Sequence, residues 1–289
     1  MSVEITRTQV SYGEPMRFRL ASLTMIGLLV TGVITAPAPQ AAAVIGDCYY
    51  YPGTTKISSD APAVSCDAPH TAQTYWVSSL PDSFGIPAKA SAAARRSATV
   101  ACTPAAINAF TGMPDRTLPS RFDTFAIFPS AAQWAAGERT VRCDVVLRNG
   151  AKLVTLTTPA AAVVSSTPQE QLNYCTPAEP NANAPYAGVC NNPKKNFIKL
   201  LAKDLGKAGS KFPGYSKVER KVTALCKALG RKYNGGVPYP GYWGIWPTGT
   251  GWANGDRAAQ CFVPLKQYLD TLAKQAAKAP APVASPPTS

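Results

Sequence analysis

Trp134-Ala135-Ala136-Gly137-Glu138-Arg139, followed by Cys143, and Trp252-Ala253-Asn254-Gly255-Asp256-Arg257, followed by Cys261, repeat one pattern within a single chain. Each has a proline five residues before its tryptophan, Pro129 and Pro247. Working back from the two closing cysteines, Cys66 to Cys102 and Cys190 to Cys226 are both separated by 36 positions. Cys66-Asp67-Ala68-Pro69 also meets Cys190-Asn191-Asn192-Pro193, each with Pro three after Cys. Residue type and spacing agree together, so an internal duplication organises the chain.

The eight cysteines fall four to a copy: Cys48, Cys66, Cys102 and Cys143, then Cys175, Cys190, Cys226 and Cys261. All lie beyond an N-terminal pattern of Arg17 and Arg19, an apolar run over 20–34, and small residues with Pro up to Ala43. That order is the order of a secretory signal, and fifteen apolar residues are short for a membrane span. Cleavage is expected near Ala41 to Ala43, with an uncleaved anchor as the alternative. An even cysteine count in an exported chain reads as disulfides in an oxidising compartment. Zinc is the rival, but there is no Cys-x-x-Cys pair and one histidine, His70, so no metal or other cofactor is expected. Each group of four cysteines allows three pairings. The middle interval is held at 36 while the outer ones vary, 18 against 15 and 41 against 35. That contrast favours Cys48 with Cys66, Cys102 with Cys143, Cys175 with Cys190, and Cys226 with Cys261.

The first copy resembles the septum formation domain of actinobacterial envelope proteins. The residues that carry the resemblance are Gly46-Asp47-Cys48, Cys66-x-x-Pro69-His70, Cys102, Pro129, Trp134, Gly137, Glu138, Arg139 and Cys143. The match covers about residues 44–158. Gln73 stands where the family usually has Glu, and the second copy has Lys194 where His would be. The resemblance implies an envelope location and a cell-division context rather than a known chemistry.

Thr140 to Leu147 alternates Val141, Cys143, Val145 and Leu147 with polar residues, which predicts a half-buried strand. Asn149-Gly150 predicts a hairpin turn, with Lys152 to Thr157 returning. Asp47 to Tyr51, Ala63 to Cys66 and Thr74 to Ser78 read as further strands. Ser91 to Ala101 reads as a helix, and Thr103-Pro104 as the start of another. In the second copy, Pro193 to Gly206 reads as a helix with Phe197, Ile198, Leu201 and Leu205 on one face and Lys195, Lys199 and Lys203 on another. Ser216-Lys217-Val218-Glu219 matches a capping box opening a helix with Val218, Val222, Leu225 and Leu229 inward. Beyond Cys261, Pro264 precedes a helical stretch that replaces the final hairpin of the first copy. The fold class is therefore α+β: two tandem small disulfide-stapled domains, each a small antiparallel sheet packed with one or two helices. The expected layout is a signal peptide at 1–43, copy one at 44–158, a linker at 159–171, basic copy two at 172–264, a helix at 265–278 and a Pro-rich disordered tail at 279–289.

Nucleophilic catalysis by a Ser-His-Asp or Cys-His set would need His70 as base, and its place beside Cys66 favours a structural bond instead. Asp47, Asp67 and Asp144 lie near the sheet, but no spacing singles out a glycosidase pair. No catalytic residue is assigned. Trp134, Gly137, Arg139, Trp252, Gly255 and Arg257 repeat and read as scaffold. From Leu172 onward there are sixteen Lys and Arg against five Asp and Glu, +11, whereas residues 44–158 have ten against eight, +2. A face so charged draws polyanions without sequence specificity. Lys195, Lys199, Lys203 and His70 are binding candidates. So are Tyr242 and Trp243, which have no counterpart in copy one. The functional expectation is an exported, non-enzymatic envelope binding protein, acting on a protein partner near the septum or wall machinery. An anionic wall polymer is the first alternative partner and a wall hydrolase the second. Contact with a membrane surface is kept open, and no specific nucleic acid is expected.

Overall fold

The chain forms two antiparallel sheets of matching plan, seen in a computed structural model that describes residues 43–113, 118–176, 179–180, 187–207, 209–239, 241–253 and 255–278. They fall in one compact unit, Gln40–Ser289. Residues 1–42 of the expected leader and the tail at 279–289 lie outside the described residues. The first copy runs β1 (Cys48–Tyr49), β2 (Ala63–Val64), β3 (Ala72–Ser79), α1 (Ala92–Ala98), α2 (Pro104–Thr111), β4 (Phe122–Ile127), α3 (Ala131–Ala135), β5 (Thr140–Asn149), β6 (Lys152–Leu153) and α4 (Ala160–Ser166). The second runs β7 (Cys175–Thr176), β8 (Phe197–Asp204), α5 (Tyr215–Tyr233), β9 (Trp243–Ile245), α6 (Gly249–Ala253), β10 (Ala258–Pro264) and α7 (Leu265–Ala276). The fold is α+β and disulfide-stapled.

The strand orders correspond: β1-β3-β5-β4 within the first sheet, where β2 and β6 are additions, and β7-β8-β10-β9 in the second. Cys143 stands opposite Trp76 and Ala126, and Cys261 stands opposite Leu201 and Gly244. Even the bulges agree. Register slips beside Tyr75, between Thr74 and Trp76, and beside Leu200, opposite Cys261 and Phe262. The four disulfides follow the pairing that the spacing favoured. In each copy one bridge ties the first strand to the corner loop and the other ties a helix, or the stretch before one, to the long central strand.

Local signals explain the starts of α1, α2 and α3. Ser91 accepts from the Ala94 amide, and Thr103 from the Ala106 amide with Pro104 in the first turn. Ser130 and Gln133 form a reciprocal capping box on α3. The expected box at Ser216 does not form: α5 begins two residues earlier, with Gly214 at the N-cap and no side-chain cap. Its buried face is Val218, Val222, Cys226 and Gly230, which lays the disulfide along the centre of the helix contact rather than beside it. A Cβ on Gly244 of β9 would lie 2.7 Å from a Val222 methyl carbon, so α5 can approach this strand only over a glycine.

Three expectations change. The segment 193–206 is not a helix; its residues 197–204 form β8, the partner of β10 along its length. The same Phe, Ile, Leu and Lys spacing fits a strand buried on both faces, and pairing with β10 decides between them. Strand β5 is buried on both faces, Arg142 and Asp144 included: Cys143, Val145 and Leu147 join the first core, and Tyr49 and Tyr51 pack against Arg142 and Asp144 on the other face. The hairpin after β5 uses Gly150 and Ala151 as its two loop residues, with Asn149 paired to Lys152, and the return strand is only Lys152–Leu153.

Residues 159–171, expected as a linker, hold α4 and a 3-10 turn over Gln169–Leu172. Ala160 and Leu172 are buried in the first copy's core with Tyr75, Ile107, Cys143 and Val145. In return Leu118 of the first copy is buried among Cys175, Ile198, Leu200 and Leu265 of the second. Backbone bonds from Arg121 to Leu172, 2.8 Å, and from Tyr174 to Pro119, 3.0 Å, run across the same junction.

Candidate functional sites

The repeated tryptophan motif is a turn whose parts hold one another. Gly137 and Gly255 have φ of 93° and 89°, which an L side chain rarely adopts. The following arginine then folds back over the tryptophan ring, 3.9 Å from Arg139 to Trp134 and 4.2 Å from Arg257 to Trp252. Each arginine donates to the carbonyl of its own tryptophan. Glu138 and Asp256 accept from the amides of Thr140 and Ala258, two residues on, and so set the start of β5 and β10. Burial works to raise the Glu138 pKa, but bonds from Thr140, the backbone amides and the Arg139 charge outweigh it and hold it below the ordinary value.

His70 is fully buried. Its backbone exchanges bonds of 2.9 and 2.7 Å with Leu156, and Nδ1 donates to the Ala68 carbonyl at 2.9 Å. Nε2 is buried with no bond among the described residues, so the ring braces the Cys66 corner. Gln73 donates to the Gly46 carbonyl at 3.1 Å and accepts from the Ala160 amide at 2.9 Å. A glutamate carboxylate accepts but cannot donate, which suits Gln at this place.

Under the first sheet lies a polar cluster the sequence did not single out. Asp144, fully buried, accepts from Tyr51 and Thr74 at 2.7 Å each and from Arg142 Nε at 3.2 Å. Arg142 Nη2 donates to Tyr51 at 3.0 Å, and its guanidinium lies 3.9 Å over the Tyr49 ring. Burial pushes the Tyr49 hydroxyl up to about 12, with Arg142 opposing and Asp47 and Asp144 adding to the rise. Burial likewise raises Tyr51. Above the cluster opens a cavity of about 410 Å3, lined in part by Asp47, Tyr49, Ile127, Phe128, Glu138 and Arg142. Asp67, the third acid weighed from sequence, is exposed.

The structure separates the three lysines expected on one face. Lys195 and Lys203 are exposed, whereas Lys199 is buried. Lys199 lies over the Tyr174 ring at 3.5 Å and donates to Gln260 at 3.3 Å. Burial lowers its pKa to about 8, with Asp123 of the first copy pulling the other way. Tyr242 and Trp243 are half-buried. Tyr242 packs on two core clusters, and Trp243 sets its ring against Phe197 at 4.5 Å and donates to Glu179.

The exposed charge collects instead on α5. Lys217, Arg220, Lys221, Lys227, Arg231 and Lys232 are all exposed and fall on the side opposite Val218, Val222 and Cys226. Among the described residues none of the six is in an ion pair. A second cavity of about 510 Å3, mostly apolar, lies at the junction of the copies against Leu118, Ile198, Leu265, Tyr268, Leu269 and Leu272. Among the described residues no cluster of three metal-ligating side chains occurs, and no helix is long and apolar enough to cross a membrane.

These features define a class: a duplicated, disulfide-stapled α+β protein, whose four bridges suggest an extracytoplasmic setting. The chain belongs to the septum formation family, whose model matches residues 45–261 and so runs through both groups of four cysteines. Membership suggests a role related to cell division and the envelope. Comparison with curated proteins and with solved structures gives no match.

Proposed function

We propose that this protein is exported and serves the division-site envelope by binding, without chemistry of its own, and that what it binds is an anionic envelope polymer laid along α5. The observation that carries this reading is the outer face of α5, six exposed cations with no paired carboxylate among the described residues. Such a face attracts a polyanion by a sum of screened interactions and needs no pocket. Burial of His70 and Asp144 away from solvent supports binding over hydrolysis. A docked protein partner is the second reading, favoured by Leu269 and Leu272, about 42% and 41% exposed beside the apolar cavity.

Co-sedimentation of the secreted protein with purified wall sacculi tests the first reading. Binding should be strong at low salt and fall away by about 0.5 M. Charge reversal at Lys217→Glu, Lys221→Glu and Arg231→Glu should abolish the salt-sensitive part. Retention indifferent to salt, or unchanged by the reversal, would count against the polymer and for the partner.

A further inference from the structure

The duplication supplies an internal control for the polar cluster under the first sheet. Aligning the copies on their cysteines and strand register sets Tyr174 against Asp47, Thr176 against Tyr49, Lys199 against Thr74, Gln260 against Arg142 and Phe262 against Asp144. In the second copy Tyr174 packs on Phe262, ring centroids 6.1 Å apart, with Lys199 over Tyr174. The same sheet, bulge and disulfides therefore stand without the buried Arg142–Asp144 pair. A buried ion pair seldom stabilises a fold more than well-packed apolar side chains would. Its presence in the first copy, at the floor of a cavity, has a better account in recognition.

We propose that the cavity over Arg142 is a binding site for a neutral saccharide, a short run of sugar rings. Three features choose that ligand. Arg142 is nine-tenths buried yet lines the cavity, and its bonds engage Nε and Nη2, which leaves Nη1 without a bond among the described residues and able to donate to a ligand. Its charge is already matched by Asp144. It offers a ring oxygen, hydroxyl or amide carbonyl a hydrogen bond, without drawing in an anion. Asp47 Oδ2 accepts from the Val44 amide and the Tyr49 hydroxyl, which leaves Oδ1 for ligand hydroxyls. Asp47, Glu138 and Arg142 of the lining, with Asp144 beneath Arg142, sum to −2, which repels the anionic polymer assigned to α5. Ile127 and Phe128 give an apolar wall for the C–H face of a ring. The volume, about 410 Å3, lies within the roughly 300–1,000 Å3 of small-ligand sites. Because this site is neutral-seeking and lies in the first copy, it does not depend on the polymer reading of the second.

The test is calorimetric titration of the secreted protein with the β-1,4-linked N-acetylglucosamine trimer and with maltotriose, at low salt and at about 0.5 M. Saturable binding of either trimer, unmoved by salt, is expected. Asp47→Tyr, which borrows the second copy's residue at an accessible rim position, should weaken it about tenfold or more. Asp47→Asn, which keeps an acceptor oxygen and the side-chain size, should weaken it less, and the α5 charge reversal should leave it intact. Near-ultraviolet circular dichroism confirms that each variant is folded. The proposal is overturned if neither trimer binds, if Asp47→Tyr binds as well as the parent, or if salt or the α5 reversal removes the binding. Saturable binding of a simple diamine while both trimers fail would assign the cavity to cations instead.

Discussion

Replacing Lys199 by Met tests the most unusual charge in the second copy. The amine stands in a strand buried on both sides, bounded by the Tyr174 ring and Gln260, with Asp123 and its partner Arg148 across the copy junction. Its pKa is about 8 against an ordinary 10.5. That gap, at about 1.4 kcal/mol per pH unit, sets about 3 kcal/mol as the upper bound on what the folded protein loses by holding the charged form. Below about pH 8 the lysine is protonated in both folded and unfolded chains, so the whole cost is present. Between about 8 and 10.5 the folded chain releases the proton while the unfolded chain keeps it, so stability rises with pH. The buried tyrosines act in the opposite sense. Their hydroxyls are held above the usual value near 10, so the unfolded chain ionises first and stability falls above about pH 10. Urea unfolding of the disulfide-intact protein should therefore show stability climbing by about 1–2 kcal/mol from pH 7.5 to about 9.5. Lys199→Met should be more stable at pH 7 by about 1–3 kcal/mol and nearly flat across that window. An equal climb in the Met variant, or a variant less stable at neutral pH, would refute the reasoning.

Two further outcomes follow from the same geometry. Paired Cys→Ala replacement at Cys102 and Cys143, which closes 41 residues, should cost about 4 kcal/mol, and at Cys175 and Cys190, which closes 15, about 3 kcal/mol. Urea midpoints in the opposite order would mean that chain entropy does not govern these bridges. In the first copy, Asp144→Ala should cost about 3–5 kcal/mol, because it leaves Arg142 buried and unmatched. Combining Arg142→Gln with Asp144→Phe, the second copy's pair, should recover most of that loss in thermal melts; a double variant as unstable as the single one would contradict the structural equivalence of the copies.

The disulfide pairing and the duplication were legible because cysteines and glycine turns are tied to spacing. The first helix caps at Ser91 and Thr103 were legible for a similar local reason. Strand β8 was not, because a four-residue apolar and lysine period is shared by helix and by a strand covered on both faces. The duplication itself held the missing information: alignment of Cys66 with Cys190 lays Thr74 to Ser78, already read as a strand from its own residues, over 198–202, inside β8. The Asp144 cluster was illegible for another reason. Its members Tyr51 and Thr74 lie 93 and 70 positions away, and on an alternating strand Arg142 and Asp144 look like the solvent side. Only the packing of the Tyr49 and Tyr51 side chains over that face turns the polar side inward. The α5 charge was visible as composition, but its distribution required the helix axis, and of Lys195, Lys199 and Lys203 the last two belong to a strand.

The exchange of core residues at the junction explains how the copies could diverge while remaining one body. Leu172 completes the first core and Leu118 the second, so neither copy closes its apolar interior alone. Separating them would expose both leucines and break the backbone bonds at Arg121 and Tyr174. With the frame held in common, each sheet was free to treat the same interior position differently. The first kept a desolvated arginine and carboxylate under an open cavity, and the second filled that place with Tyr174 on Phe262 and carried its charge outward on α5. On the two proposals above, such a chain would offer a pocket for neutral sugar rings and a ridge for a polyanion together. A composite envelope polymer, hydroxyl-rich in one part and anionic in another, would meet both at once, and the tether between its parts would raise the effective concentration at the second site.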